Sequence, residues 1–235
     1  MNAYGPESLS NAVAAICPDI RARVGHPAMP PDERRLWWEL SSCILSSQVP
    51  YSLAVAAADA IDAVGLLVDN RRDQESLTSR LVEVLSKPLT VEGRSRAYRF
   101  PVARARHLAA THAAVTNEAR SLRVLLDRFR NAAEARAWFV TYAPGIGPKQ
   151  ASMFLRNAGV SYDLAILDRH VLSYMAALGI YSGANLSIAG LAQYRRHEIV
   201  LRDHARDLDC PVGLLDWAIW IVMRVANRKM EPVAI

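Results

Sequence analysis

The sequence predicts an all-α protein, and three observations carry that prediction. Apolar residues recur at helical spacing along most of the chain. No stretch alternates convincingly with period two, and no internal repeat or low-complexity tract interrupts the pattern. Proline and glycine mark the joints between the periodic stretches. Taken in order, Leu36, Leu40, Cys43 and Ile44 share one helical face behind Pro30, Pro31 and Asp32, which read as a helix start. A helical stretch over 52–64 follows, then Leu77, Leu81, Val82 and Leu85, then 101–116. Leu122, Leu125, Leu126 and Phe129 form the next face, followed by helices over 132–142, 149–157, 168–178, 189–208 and 212–227. Between them, Gln48-Val49-Pro50 breaks two apolar helices, because proline has no backbone donor to give. Residues 93–101 form a basic joint, 143–148 the tightest one, and 179–185 a loose connector.

Composition narrows the class. At 235 residues and 51% hydrophobic content the chain suits one globular unit or two lobes sharing a core, and is not a disordered one. No uninterrupted apolar run approaches the ~20 residues that span a bilayer; even 212–225 is broken by Asp216 and Arg224. The opening MNAYGPESLS lacks the basic start and apolar stretch of a secretion signal. Cys17, Cys43 and Cys210 are odd in number and far apart in sequence, which argues against a disulfide framework or a cysteine-rich metal cluster. The expectation is a cytoplasmic protein.

The formal net charge is +5, and arginine supplies 25 of the 28 cationic residues. A basic surface fits a polyanion such as nucleic acid, since neutralising phosphates releases condensed counterions. A compositional bias that replaces lysine by arginine accounts for the same counts. Either way the three lysines, Lys87, Lys149 and Lys229, stand out, because a lysine amine can become a nucleophile and a guanidinium cannot.

One of them follows the tightest joint. Phe139 to Arg156 reads as helix, turn, helix, with Gly145 and Gly147 around Ile146. The two glycines let the turn take backbone angles closed to other residues and remove side chains that would hold a ligand off the main chain. Ile146 is expected to be buried between the helices. The second helix then offers free N–H groups and its positive dipole end to a phosphate. A Gly-x-Gly before a helix is on its own weak evidence, and a plain helical hairpin is its commoner setting.

The wider pattern sharpens it. Pro144-Gly-Ile-Gly-Pro-Lys149-Gln-Ala is followed, nineteen residues after the lysine, by Asp168 in Leu-Asp-Arg-His170-Val. This resembles the helix-hairpin-helix base-excision DNA glycosylases, and the lysine is similar to that of the bifunctional 8-oxoguanine DNA glycosylase/AP lyase branch. Ile44-Leu-Ser-Ser-Gln48 is similar to the loop that family inserts into the gap left by an extruded base. Tyr98-Arg-Phe-Pro-Val-Ala-Arg-Ala-Arg106 is similar to its wedge loop and the basic helix after it. The likeness runs from about Leu36 to Met175. It implies a two-lobed fold with the active site in the cleft between lobes. One lobe is expected over 52–142, and the other combines 1–51 with 143–235.

The resemblance assigns roles by position. Lys149 is the nucleophile, in the first turn of a helix where the positive dipole end disfavours an ammonium, or else a solvated lysine that contacts phosphate. Asp168 is the carboxylate that stabilises cationic sugar character and assists proton transfer, or else simply a helix N-cap. Asp163 is the rival carboxylate, though the Asp-x-His pattern falls at Asp168. His170 lies near the flipped nucleotide in the family, or is an ordinary surface histidine. Gln48 fills the vacated space, or caps a helix end. Arg99 and Phe100 form the wedge, unless Phe100 is a hydrophobic staple. Arg94, Arg96, Arg104 and Arg106 contact phosphates, as do the amides around Gly145 and Gly147. Met153, one turn beyond the lysine, packs on the base, with Trp217 or Trp220 closing the opposite face and Asp216 reading a base edge. Leu214, Leu215, Trp217, Ile221 and Val222 equally form a core stripe.

No cysteine set for an iron–sulfur cluster, no Walker loop and no zinc-spaced histidine pair is present. No nucleotide or catalytic metal is therefore expected, although the family's hairpin carbonyls can hold a monovalent cation. The expected partner is double-stranded DNA with a modified base, bound by a monomer. Two other readings stay open: the same chemistry on another base, such as a hypermodified base of phage DNA, and a non-catalytic DNA-binding hairpin module.

Overall fold

The computed structural model describes residues 5–30, 32–68, 73–183 and 185–228; Pro31 and Lys229 lie outside them. No described helix is long and apolar enough to cross a membrane. The chain divides into two compact units, Ala28–Ala158 and Met1–Pro27 with Gly159–Ile235.

The Ala28–Ala158 unit is built around α2 (Glu33–Leu45), whose residues Glu39 to Leu45 are all buried. Over that stretch the helix has no solvent face because α2 packs on four others, α3 (Tyr51–Ala63), α5 (Pro101–Glu118), α6 (Leu122–Asp127) and α8 (Pro148–Asn157). Four of the unit's helices start at a side-chain cap. Asp32 accepts the Arg34 N–H, Asp73 caps α4 (Gln74–Ser86) at the Ser76 N–H, and Asn131 caps α7 (Ala132–Tyr142) at the Glu134 N–H. Glu33 reaches across to accept the first N–H groups of α6, Leu122 at 2.6 Å and Arg123 at 3.0 Å. Leu77, Leu81 and Leu85 form a fully buried stripe on α4, the helix that packs on α5. Phe129 falls beyond α6, its ring against Trp138.

A short ribbon leads into the basic joint, where no strand is expected from the sequence. Strands β1 (Leu89–Val91) and β2 (Arg94–Arg96) pair antiparallel, Val91 opposite Arg94. They are joined by Glu92 and Gly93, both at positive φ (50° and 74°), the geometry of a two-residue hairpin turn. Three residues per strand are too few to show alternation.

The other unit packs α1 (Pro6–Val24), α9 (Arg169–Ala177) and α10 (Gly190–Asp207) around α11 (Val212–Arg228). The α1 stripe Leu9, Val13, Cys17 and Ile20 is buried here. Cys17 and Cys210, far apart in sequence, are both buried in this core and remain free thiols.

The division falls at residues 28 and 158, whereas the sequence reading draws it at 52 and 142. The difference has a packing cause: α2 lies on α3, α5 and α6, and α8 lies on α7 and α2, so 28–51 and the hairpin stay with the helical bundle.

Candidate active site

Within the Ala28–Ala158 unit the hairpin joins α7 to α8. Ala143-Pro144-Gly145-Ile146 forms a turn closed by the Ile146 N–H on the Ala143 carbonyl at 3.2 Å, with Gly145 at φ +80°. Proline second and a positive-φ glycine third define a type II turn. A Cβ at Gly145 would run into the His107 imidazole, so the position excludes side chains twice over. Gly147 corrects the expectation that both glycines serve this purpose. It is the extended N-cap of α8 (φ −93°, ψ 176°), a backbone any residue adopts. Ile146 is buried, as its spacing suggests. The two helices are held together by the edge-on Phe139–Phe154 pair, 5.1 Å between centroids. The fully buried Arg136 adds a hydrogen bond to Ser152 Oγ at 3.2 Å.

Lys149 occupies the first turn of α8, half-buried. Its Nζ lies 3.2 Å from Met153 Sδ, and among the described residues it has no carboxylate partner; Lys87, by contrast, is paired to Glu83. Met153 is itself buried beneath the amine. On α2, Cys43 is completely buried, and burial pushes its thiol up to about 12 despite the opposing charge of Lys149. A thiol so placed stays protonated and does not compete as a nucleophile.

The two loops singled out in the sequence meet in this unit. Gln48 is exposed and held at φ +64°, a left-handed conformation unusual for a side-chain-bearing residue. Its loop is anchored from below: Tyr98 Oη donates to the Leu45 carbonyl at 2.7 Å, and Arg104 Nη2 to the Ser47 carbonyl at 3.1 Å. Arg99 is exposed, its guanidinium 4.9 Å from the centre of the half-buried Phe100 ring. Phe100 stands at the N-cap of α5, ahead of Pro101. Arg94, Arg96 and Arg106 are exposed and free to meet phosphates. Arg104 is not: only 9% exposed, it spends its guanidinium on Ser47 and on His107 Nδ1, 3.2 Å away. Burial, with the Arg104 charge assisting, holds the His107 pKa below its ordinary value.

Asp168 belongs to the other unit, at the N-cap of α9, where Oδ1 accepts the Val171 N–H at 2.9 Å. The buried segment Leu164–Leu167 delivers it there. That segment lacks regular structure, so its backbone groups need side-chain partners. Two buried residues of α10 supply them. Glu198 accepts the Ala165 N–H at 2.9 Å. Tyr194 Oη takes the Leu167 N–H at 2.9 Å and donates to the Ala165 carbonyl at 2.7 Å. Sequence reading misses both, since one carboxylate and one tyrosine on an amphipathic helix carry no local signal. Asp163 is an exposed turn residue bonded to Ser161. His170 is half-buried in the first turn of α9. On α11, Asp216 is half-buried and Trp217 packs partly buried on the unit's core, while Trp220 is 41% exposed with the Arg224 guanidinium 4.6 Å from its ring. Among the described residues no group of three His, Cys, Asp or Glu side chains could hold a metal ion.

Comparison with known proteins places this arrangement. Residues 28–210 match the family model described as 8-oxoguanine DNA glycosylase. The 8-oxoguanine DNA glycosylase/AP lyase of Sulfurisphaera tokodaii is 31% identical over 200 residues, 85% of this chain and 86% of that protein. The one from Saccharolobus solfataricus is 29% identical over 213 residues, 86% and 92% of the two chains. Among solved structures, the Methanocaldococcus jannaschii 8-oxoguanine glycosylase/lyase in complex with a 15mer DNA containing 8-oxoguanine superposes with a TM-score of 0.71 at 22% identity, over 91% and 96% of the chains. With a family model spanning the hairpin, Lys149 and Asp168 alike, the chain belongs to the 8-oxoguanine DNA glycosylase family of helix-hairpin-helix enzymes.

Proposed function

We propose that the protein is a bifunctional DNA glycosylase/AP lyase that excises 8-oxoguanine from double-stranded DNA, acting as a monomer. The observation that carries this reading is Lys149: a half-buried amine in the first turn of α8, with no carboxylate partner among the described residues and a thioether beside it. An amine in a salt bridge is tied up by its partner, whereas no described carboxylate occupies this one, which leaves it placed to act as a nucleophile. The named relatives, 8-oxoguanine DNA glycosylase/AP lyases, supply the substrate.

An enzyme acting on a base must first take it out of the stack. In this reading Phe100 with Arg99 forces the pairs apart, Gln48 enters the gap with amide donors and acceptors, and the hairpin N–H groups hold the phosphate. Met153, Trp217, Trp220 and Asp216 are the residues proposed to line the base pocket, with His170 beside the extruded nucleotide. The neutral Lys149 Nζ attacks C1′ while the glycosidic bond breaks, its electron pair leaving on the base, which takes up a proton. The C1′–O4′ bond then opens, O4′ is protonated, and a Schiff base forms. The iminium acidifies C2′; loss of that proton expels the 3′ phosphate and cuts the strand, and water finally hydrolyses the imine to return the amine. The Asp168 carboxylate stabilises the cationic sugar and carries protons, its cap bond to Val171 fixing its orientation. A monovalent cation on hairpin carbonyls belongs to the same reading. Carbonyl oxygens are the donors a hard cation takes, and the Ala143 carbonyl keeps one lone pair beyond its bond to Ile146.

Borohydride trapping on two labelled duplexes tests the proposal, one with 8-oxoguanine opposite cytosine and one with an abasic site. A covalent adduct on both with wild type, absent with Lys149→Gln, is the expected result. An adduct on the abasic duplex alone keeps the lyase and transfers the search to other bases, hypermodified phage bases included. Salt-sensitive binding with no adduct on either leaves a DNA-binding module.

A further inference from the structure

We propose that Arg104 is a positioning residue that locks the Gln48 loop, the Phe100 wedge and the hairpin turn into one frame, so that extrusion of a nucleotide and filling of the gap occur as a single placement. The inference rests on the glycosylase reading above and goes beyond it by naming the part that makes three separate DNA-facing elements act together.

The geometry is that of a junction. Arg104 lies in the first turns of α5, its side chain buried among three elements. Nη2 donates to the Ser47 carbonyl at 3.1 Å. That carbonyl belongs to the peptide plane whose rotation defines φ of Gln48, the residue held at +64°. Fixing the plane therefore fixes the strained backbone that aims the Gln48 side chain. Nη1 meets His107 Nδ1 at 3.2 Å, and the His107 ring sits where a side chain on Gly145 would lie, which ties the same guanidinium to the hairpin turn. Its Cζ is 5.8 Å from the Phe100 ring centre, and its own N–H donates to the Phe100 carbonyl.

A cation below the C-terminal end of α2 is electrostatically favourable, and a lysine would supply that charge as well. What only arginine supplies is the planar fork that reaches two acceptors in different directions. Arg104 Nε is meanwhile buried without a hydrogen-bond partner, and among the described residues the guanidinium has no carboxylate to compensate it. Burial on those terms is a poor route to stability and a good one to fixed geometry.

The test separates charge from fork and uses abasic DNA, so it does not depend on which base is excised. Rates of borohydride trapping are measured for wild type and Arg104→Lys on one abasic site in a duplex and one in a single strand. A 2-aminopurine beside the duplex site reports unstacking. The duplex site requires wedge and gap filling; the single strand requires neither. Arg104→Lys is expected to lower duplex trapping about 10- to 100-fold, the scale of a small misplacement of reacting groups, with the 2-aminopurine signal reduced in step. Single-strand trapping should stay within about twofold of wild type, because Lys149 is untouched. Equal losses on both substrates, or an unchanged duplex rate, overturn the proposal. If Arg104→Lys melts more than about 10 °C below wild type, the same comparison is read on His107→Gln, which leaves the Ser47 arm in place. Its expected duplex-selective loss is smaller, about 3- to 10-fold, and no duplex-selective loss there overturns the proposal. Wild type that traps on neither substrate overturns the glycosylase reading, and this inference with it.

Discussion

Replacing Gly145 by alanine examines the hairpin most sharply, because two independent penalties fall on one methyl group. The first is conformational: at φ +80° a side-chain-bearing residue costs about 1–2 kcal/mol. The second is steric. The new Cβ would lie 2.8 Å from His107 Cγ and 3.0 Å from Cε1, so the imidazole must move from its place between Arg104 and the turn. Overpacking of this kind costs about 1–3 kcal/mol. Alanine also restricts the unfolded chain, which returns about 0.4–1 kcal/mol. The net loss is about 2–4 kcal/mol, or about 6–12 °C in melting temperature at about 3 °C per kcal/mol. Gly147→Ala is the matched control. Its backbone is extended, and its Cβ would meet only the mobile end of Gln150, 3.2 Å away, so it should melt within about 3 °C of wild type. Thermal unfolding followed by circular dichroism decides. Equal melting temperatures for the two variants, or a Gly145→Ala protein as stable as wild type, would refute the assignment of the turn.

Other consequences are as specific. Asp168→Ala should lose the α9 cap and about 1 kcal/mol of stability, whereas Asp168→Asn keeps the Val171 bond and the stability. Both should slow single-turnover excision at least about a hundredfold, and an active Asn variant would reduce Asp168 to a cap. Arg99→Ala and Arg106→Ala, exposed residues, should each lower the slope of log affinity against log salt by about one; unchanged slopes would remove them from the phosphate contacts. Melting temperature should fall as pH drops through about 6.5. Burial lowers the pKa values of His107, His197 and His204, so below that pH the unfolded chain binds protons that the folded one refuses. Burial also raises the Glu39 carboxyl, and that one group pulls the other way. A melting temperature constant from pH 7.5 to 5.5 would contradict this sum.

How much of this was legible in the sequence depended on whether the cause was local. The span 132–142 coincides with α7, and Ile146 is buried between the hairpin helices, because periodicity, the Asn131 cap and the proline-glycine turn act within a few residues. Lys149 and Asp168 stood out for their type and spacing against a background of arginine. Tertiary causes were hidden. Arg104 looked like its basic neighbours, and only packing shows that it faces inward while Arg106 faces out. Gly147 looked equivalent to Gly145 until their φ values separated them. The stripe Leu9, Val13, Cys17 and Ile20 of α1 has helical spacing in the sequence, yet the reading by periodicity starts only at Leu36 and passes it by. The roles of Tyr194 and Glu198 lie in bonds to a segment some thirty residues earlier, beyond any local pattern.

The central claim is that the Lys149 amine forms the covalent intermediate. Its most direct test is peptide mapping of the borohydride-reduced complex on abasic duplex DNA. Trypsin should fail to cut after Lys149 and should release a peptide spanning 137–156 that carries the sugar remnant on that lysine. The remnant on Lys87 or on the N-terminal amine, with Lys149 still cleaved normally, would contradict the account.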